Sequence, residues 1–107
     1  RYYIESLEKL LGEKTEVVHL IGGGVKDVNL CRFTANVTGK KITAGPVEAT
    51  AIGNIAVQLI AQGTIKDVAQ ARHEFCSDDL KIYEPEDSAA WDAKYQDYLK
   101  YKWALQD

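Results

Sequence analysis

The spacing of apolar and polar positions divides the chain into alternating helical and extended segments. Residues Tyr3 to Leu11 put Ile4, Leu7, Leu10 and Leu11 three and four apart, which predicts one inward face of a helix stopped at Gly12. Val17 to Ile21 is an apolar run broken only by His19, the pattern of a strand buried on both faces. From Val25 to Val37 the positions Val28, Leu30, Cys31, Phe33, Thr34 and Val37 fit a helix better than alternation. Gly39 ends that helix, Ile42 to Ala44 reads as a second strand, and Gly45-Pro46 as a turn. Glu48 to Ala61 is a small-residue helix with Ile52, Ile55, Ala56, Leu59 and Ile60 inward, and Gly53 and the alanines should let it sit close to a sheet.

Gly63 closes that helix, and Ile65 to Phe75 predicts another. Lys81 to Pro85 is extended, and Asp87 or Ser88 caps a last helix with Trp91, Tyr95, Tyr98 and the Lys102 stem along one stripe. A strand-helix-strand unit at this spacing implies parallel strands and a right-handed crossover. The fold class is therefore α/β, with two parallel strands and surrounding helices.

Composition narrows the partners. The chain has 107 residues, so one domain is the upper limit. With 13 basic and 16 acidic residues the formal charge is -3 and no basic patch stands out, which argues against nucleic acid. No apolar run approaches a membrane span, and the start is not a signal peptide. Cys31 and Cys76 lack metal or CxxC spacing and read as reduced cytoplasmic thiols. The chain has no methionine and opens on Arg1-Tyr2-Tyr3 inside a helical pattern, which reads as a piece of a longer protein. Two strands alone make a poor sheet, which favours the same expectation.

The chemistry concentrates at Gly22-Gly23-Gly24, between the first strand and the next helix. Glycine lets a ligand approach the main chain, and amides at a helix start have no intrahelical partner. Such a turn suits a phosphate. The dinucleotide fingerprint G-x-G-x-x-G fails, because its last glycine position is Asp27. A Walker A loop fails too, since the one Gly-Lys pair, Gly39-Lys40, is succeeded by Lys41. Glycine-rich turns also occur without ligands, so the triplet alone leaves a plain strand-to-helix turn open.

The residues beyond the triplet are more specific. The run GGGVKDVNLCRFTANVTGKKITAGPVEATAIGNIAVQLIAQGTI resembles the C-terminal domain of the FGGY family of carbohydrate kinases. There a glycine turn, a helix ending in Ala-Asp-x-x-Gly, a short strand and a Glu-Ala-(Thr/Ser)-x-x-Gly helix recur in that order. Similarity runs from the first helix to about Pro85. The wording Ala44-Gly45-Pro46-Val47-Glu48-Ala49-Thr50-Ala51-Ile52-Gly53-Asn54-Ile55 looks most like the branch acting on L-rhamnulose.

The resemblance implies an actin-like, ribonuclease-H-type domain and transfer of the γ-phosphoryl of ATP to a ketose, with Mg²⁺ held mainly elsewhere. It implies nucleotide contacts at Gly22, Gly23 and Gly24, with Gly23 and Gly24 foremost. Asp27 stands where the family usually has Asn beside the adenosine; an acid there suits ribose hydroxyls or the adenine amine and disfavours phosphate. Asn36 likewise replaces the family's Asp. The catalytic aspartate, the first phosphate-binding hairpin and the sugar pocket lie upstream of anything in this chain. No catalytic residue and no metal ligand are therefore assigned, and the polypeptide alone is expected to be inactive. Another sugar (fuculose, xylulose, glycerol) or a non-catalytic relative used for binding or assembly remains open.

Other residues carry plainer readings. Lys26 reads as a solvated lysine and Glu48 as a helix-terminal charge favoured by the dipole. His19 reads as a satisfied core or cleft-edge histidine, and His73 and Cys76 have no metal-ligating partners nearby in sequence. The Trp91, Tyr95, Tyr98 stripe reads as packing that anchors the last helix, since no basic residues converge with it. If absent strands would flank Val17 to Ile21, that edge is exposed, and self-association by edge pairing or exchange of the first or last helix is expected.

Overall fold

A computed structural model describes residues 1–76 and 80–104. Helix α1 (Tyr2–Leu11) ends at Gly12, whose left-handed φ of 72° turns its amide back to Glu8 O at 2.9 Å. Strand β1 (Val17–Leu20) leads through a 3-10 turn (Gly23–Lys26) into α2 (Val28–Thr38), which closes in the same way at Gly39. Next come β2 (Lys41–Ala44), α3 (Ala49–Ala61), α4 (Val68–Cys76), β3 (Lys81–Tyr83) and α5 (Ser88–Ala104).

β1 and β2 are parallel, from Val17 beside Lys41 to Leu20 beside Ala44, as expected for a crossover through α2. The sheet has three strands in the order β1-β2-β3, not two, because Lys81–Tyr83 pairs antiparallel with β2. A strand of three residues is too short to reveal its alternation in the sequence; it forms because β2 offers a second hydrogen-bonding edge.

β1 is not buried on both faces. Register puts Val18 and Leu20 on one side with Ile42 and Ala44, and Val17 and His19 on the other with Thr43. The first side packs under α2, where Ile42 and Cys31 are 0 % exposed and Val25, Cys31 and Ala44 form a cluster with Leu20, Val47 and Tyr83. On the second side His19 is exposed.

α1 is docked by a face turned away from most of its leucines: Ile4 is half-buried as its periodicity predicts, and Glu8, one turn along, is buried beside it. Leu10 is 81 % exposed, Leu7 and Leu11 are exposed with it, and Glu8 is 6 % exposed. Glu8 is fully engaged: Oε1 takes Lys40 Nζ at 2.5 Å and Thr15 N at 2.7 Å, while Lys40 Nζ also reaches Thr15 O at 2.7 Å. That ion pair ties α1, the 12–16 loop and the α2–β2 turn together more firmly than a leucine stripe that nothing covers among the described residues.

α3 and α4 form a separate small core of Ala56, Ile65 and Ala71, with Leu59 and Ile60 against it. α4 starts at Val68, three residues later than Ile65, because Asp67 Oδ1 accepts from Gln70 N at 2.9 Å and caps the helix. Ile65 lies in the connection and is buried there. α3 does not press on the sheet. A cavity of about 700 Å³ separates them, a Cβ on Gly53 would meet nothing within 4 Å, and Ile55 is exposed instead of inward. The radius of gyration, 17.4 Å, accordingly exceeds the about 13 Å of a compact chain this long.

α5 is anchored by Trp91 and Tyr95 of its predicted stripe, whereas Tyr98 is exposed and, contrary to expectation, a basic residue converges on the aromatics. Tyr95 is buried and donates to Glu5 Oε2 at 3.1 Å, Arg1 Cζ lies 4.2 Å from its ring centre, and Phe33 and Trp91 are 5.3 Å apart. Arg1 also pairs with Asp92. Lys102 is half-buried and adds its charge, with Nζ 3.2 Å from the Tyr2 ring centre. Asn36 is buried, and its Oδ1 accepts from Glu86 N at 2.8 Å, which fixes the β3–α5 connection to α2. An uncharged amide serves there without desolvating a carboxylate.

Candidate functional site

Parallel pairing sends β1 and β2 out of the sheet at the same end, so the turns after them lie side by side. Two backbone bonds lace them: Gly45 N donates to Leu20 O at 2.8 Å, and Gly22 N donates to Pro46 O at 3.2 Å. The glycine triplet and the start of the Glu48-Ala49-Thr50 segment are thereby neighbours, outside the carboxyl ends of parallel strands. Open α/β sheets bind their ligands there.

Each glycine of the triplet has a different reason for its place. Gly22 has φ 88°, a conformation that a side chain disfavours. The 3-10 turn then closes through Val25 N to Gly22 O at 3.2 Å and Asp27 N to Gly24 O at 3.1 Å, and buried Val25 pins it to the core. Gly23 and Gly24 are exposed, and their amides precede the first hydrogen bond of the turn. Neither has positive φ. A Cβ on Gly23 would meet nothing within 4 Å, and one on Gly24 would make an ordinary 3.5 Å contact with Leu30 Cδ2. Among the described residues, neither backbone conformation nor packing requires glycine at these two positions. Bare main chain there suits an outside group that must come close.

The start of α2 is different. Asp27 is its N-cap, with Oδ1 accepting from Leu30 N at 3.0 Å. The chain's own carboxylate thus occupies the seat that the sequence offers to a phosphate, and repels an anion from it. Among the described residues, the Gly23 and Gly24 amides of the 3-10 turn, one step before the helix, lie outside the reach of that cap. Asp27 itself remains exposed, as does Lys26.

The remaining candidates take structural places. His19 stands at the mouth of the large cavity and is hydrogen-bonded to Thr43, Nδ1 to Oγ1 at 2.5 Å. Glu48 occupies the N-cap position of α3 but makes no side-chain cap bond, so its contribution there is charge alone. Cys31 is enclosed, its Sγ 3.7 Å from Val25 O, and burial pushes its thiol pKa up, with the Asp27 charge adding to the shift. Among the described residues no three His, Cys, Asp or Glu side chains come together as a metal site, and no helix is long and apolar enough to cross a membrane.

Two features escape a reading of the residues alone. Lys40, conspicuous only as part of a failed Walker A match, is the cation of the Glu8 clamp. Its hydrogen bond, then that of Thr15, draws the Glu8 pKa down to about 2 against the opposing effect of burial. The cavity beside the glycine turn, walled by Ile21, Pro46, Ile52, Ile60 and Arg72, depends on how far α3 stands from the sheet, which no periodicity encodes.

Comparison with known proteins bears on this geometry. The profile of the FGGY family of carbohydrate kinases, C-terminal domain, matches residues 1–62, a run that holds both laced turns and stops short of Pro85. A rhamnulokinase from Bacteroides thetaiotaomicron is 46% identical over 96 residues, 89% of this chain and 20% of that protein. Rhamnulokinases from Bacillus subtilis and Lactiplantibacillus plantarum are 39% and 35% identical, over 78% and 91% of the chain and 18% and 19% of their own lengths. The chain thus spans about a fifth of the length of the curated relatives it matches.

Proposed function

The chain belongs to the FGGY family of carbohydrate kinases, and on that premise we propose that it is the ATP-side portion of an actin-like domain in a longer sugar kinase. In this reading Gly22, Gly23 and Gly24 hold the nucleotide, and the parent transfers the γ-phosphoryl of ATP to the 1-hydroxyl of a ketose, L-rhamnulose. Its likeness to several rhamnulokinases supports that sugar. We assign the parent to the cytoplasm, where ATP is supplied.

One observation carries the reading: two exposed glycine amides, not needed as glycine by the fold, at the carboxyl ends of parallel strands. Amides that donate to phosphate oxygens make charge-assisted bonds, stronger than neutral ones, and a missing side chain lets the oxygens come within reach. Gly22 contributes by shape, since its φ of 88° sets the direction of the next two N–H groups. Asp27, engaged at the helix start through one oxygen, faces solvent beside the turn and is suited to accept from ribose hydroxyls or the adenine amine. Mg²⁺, when bound, neutralises charge on the phosphates. Its ligands and the base that orients the sugar hydroxyl are assigned, by the family resemblance, to other parts of the parent.

Gly23→Ala in the full-length parent tests this, because the added methyl meets nothing in the chain and the fold should be unchanged. Displacing the phosphate from one charged hydrogen bond of about 1.5–3 kcal/mol should raise KM for ATP by roughly 10- to 100-fold. KM for the sugar should stay as it is. An unchanged KM for ATP would overturn the site. A panel of L-rhamnulose, L-fuculose, D-xylulose and glycerol should give the highest kcat/KM with L-rhamnulose, and the isolated chain should turn over none of them.

A further inference from the structure

We infer that the turn after β2, Gly45-Pro46-Val47, is the positioning element of the nucleotide site. It sets the glycine turn in its binding shape before any nucleotide arrives, and Val47 is the side chain that fixes it. The inference rests on the reading of Gly23 and Gly24 as phosphate donors given above, and concerns which residues aim those donors.

This one turn grips the Ile21-Gly22 step at both ends. Leu20 O, just before it, accepts from Gly45 N at 2.8 Å, and Gly22 N donates to Pro46 O at 3.2 Å. Held at two points, the chain enters the triplet in one direction, and Gly22 at φ 88° passes that direction on to the next two N–H groups. The amide of Gly22 is thereby spent on protein and is not offered to phosphate. A division within the triplet follows: the first glycine aims, and the next two bind.

The gripping turn is itself seated on the core. Gly45 is buried at φ 122°, a conformation that L side chains rarely adopt, and its amide carries the β1–β2 ladder one residue beyond Ala44. Val47 is half-buried and packs against the cluster of Val25, Cys31 and Ala44. Val25 belongs to the 3-10 turn, and its own amide closes that turn on Gly22 O at 3.2 Å. One small core therefore seats both turns. The bond from Gly22 N to Pro46 O is already at the long end of the hydrogen-bond range, so a shift of the second turn breaks it. The packing of Val47 is what opposes that shift. All of these contacts lie between residues 20 and 47, inside the run that the family profile matches.

Hydrogen exchange on the full-length parent, resolved to single amides, tests the division directly. Without nucleotide, Gly22 N should already be protected and Gly23 N and Gly24 N should not. A non-hydrolysable ATP analogue should protect Gly23 and Gly24 and leave Gly22 unchanged. Val47→Ala in the parent should raise KM for ATP by roughly 3- to 10-fold with kcat and KM for the sugar unchanged, because misaligned donors weaken ground state and transition state alike. Val37→Ala removes the same two methyl groups from a half-buried site at the far end of α2, and should leave KM for ATP as it is. Protection of Gly22 that appears only with the analogue, an unchanged KM for ATP in Val47→Ala, or an equal rise in Val37→Ala would each overturn the inference. The exchange pattern is read on the unaltered parent, so it decides the question even where Val47→Ala does not fold. Failure of the nucleotide site itself reads differently: the analogue would then protect neither Gly23 nor Gly24, Gly23→Ala would leave KM for ATP unchanged, and the positioning role would fall with it.

Discussion

The β1–α2–β2 unit and the α3–α4 pair are built from similar apolar stock and reach different degrees of closure. The first has residues at 0 % exposure, two backbone bonds lacing its turns, and a helix held by Asp27 at one end and Gly39 at the other. The second closes locally: Gly63 takes φ 76°, the Thr64 and Ile65 amides both return to Leu59 O, and Ile55 and Val57 stay exposed. The difference lies in partners. α2 covers a sheet face, whereas α3 faces a cavity. The glycine turn belongs to the closed unit, so its amides are held by a rigid frame, as a site that must present donors at fixed positions requires.

Ile42 is where the contrast between the two regions is most exposed. Ile42→Ala, at full burial, should cost about 2–5 kcal/mol and lower the midpoint of global unfolding. Ile65→Ala should instead raise amide exchange in α3 and α4 while β1 and β2 keep their protection. If Ile65→Ala destabilised the sheet as much as Ile42→Ala, the two regions would be one cooperative unit.

Acid should act next, on the clamp that fastens α1 to the closed unit. Glu8 binds its proton more weakly when folded, at a pKa of about 2 against 4.5, so its contribution is complete above pH 4.5. Stability should therefore fall as pH drops from 4.5 towards 2, and Lys40→Met should flatten that part of the profile. A denaturation series at fixed temperature reads both.

Much of this organisation is legible in the residues, and the misreadings have physical causes. Helix boundaries at Gly12 and Gly39, the parallel pair and the aromatic anchoring of α5 arise from local chemistry that the spacing exposes. The facing of α1 does not, because periodicity reports which side is apolar and not whether anything lies against it; Glu8, paired with a lysine 32 positions away, decides instead. β3 depends on a vacant edge of β2, and the stand-off of α3 on tertiary placement. At the site, Gly22 to Gly24 are conspicuous in the sequence. That Asp27 caps α2 at Leu30 N, and so sets a negative charge at the helix start, needs coordinates.

Smaller effects bear on the same two regions. Asp27→Ala should cost about 1 kcal/mol through the lost cap, and Asp27→Asn much less, since the amide oxygen also accepts from Leu30 N. Gly53→Ala, inside α3 and facing open space, should stabilise by up to about 1 kcal/mol. A loss there would mean that α3 packs closely after all.

A structure of the full-length parent with a non-hydrolysable ATP analogue puts the nucleotide site to its sharpest test. Gly23 N and Gly24 N should then lie within about 2.7–3.2 Å of phosphate oxygens. An analogue seated elsewhere, with this turn contacting only protein, would contradict the assignment.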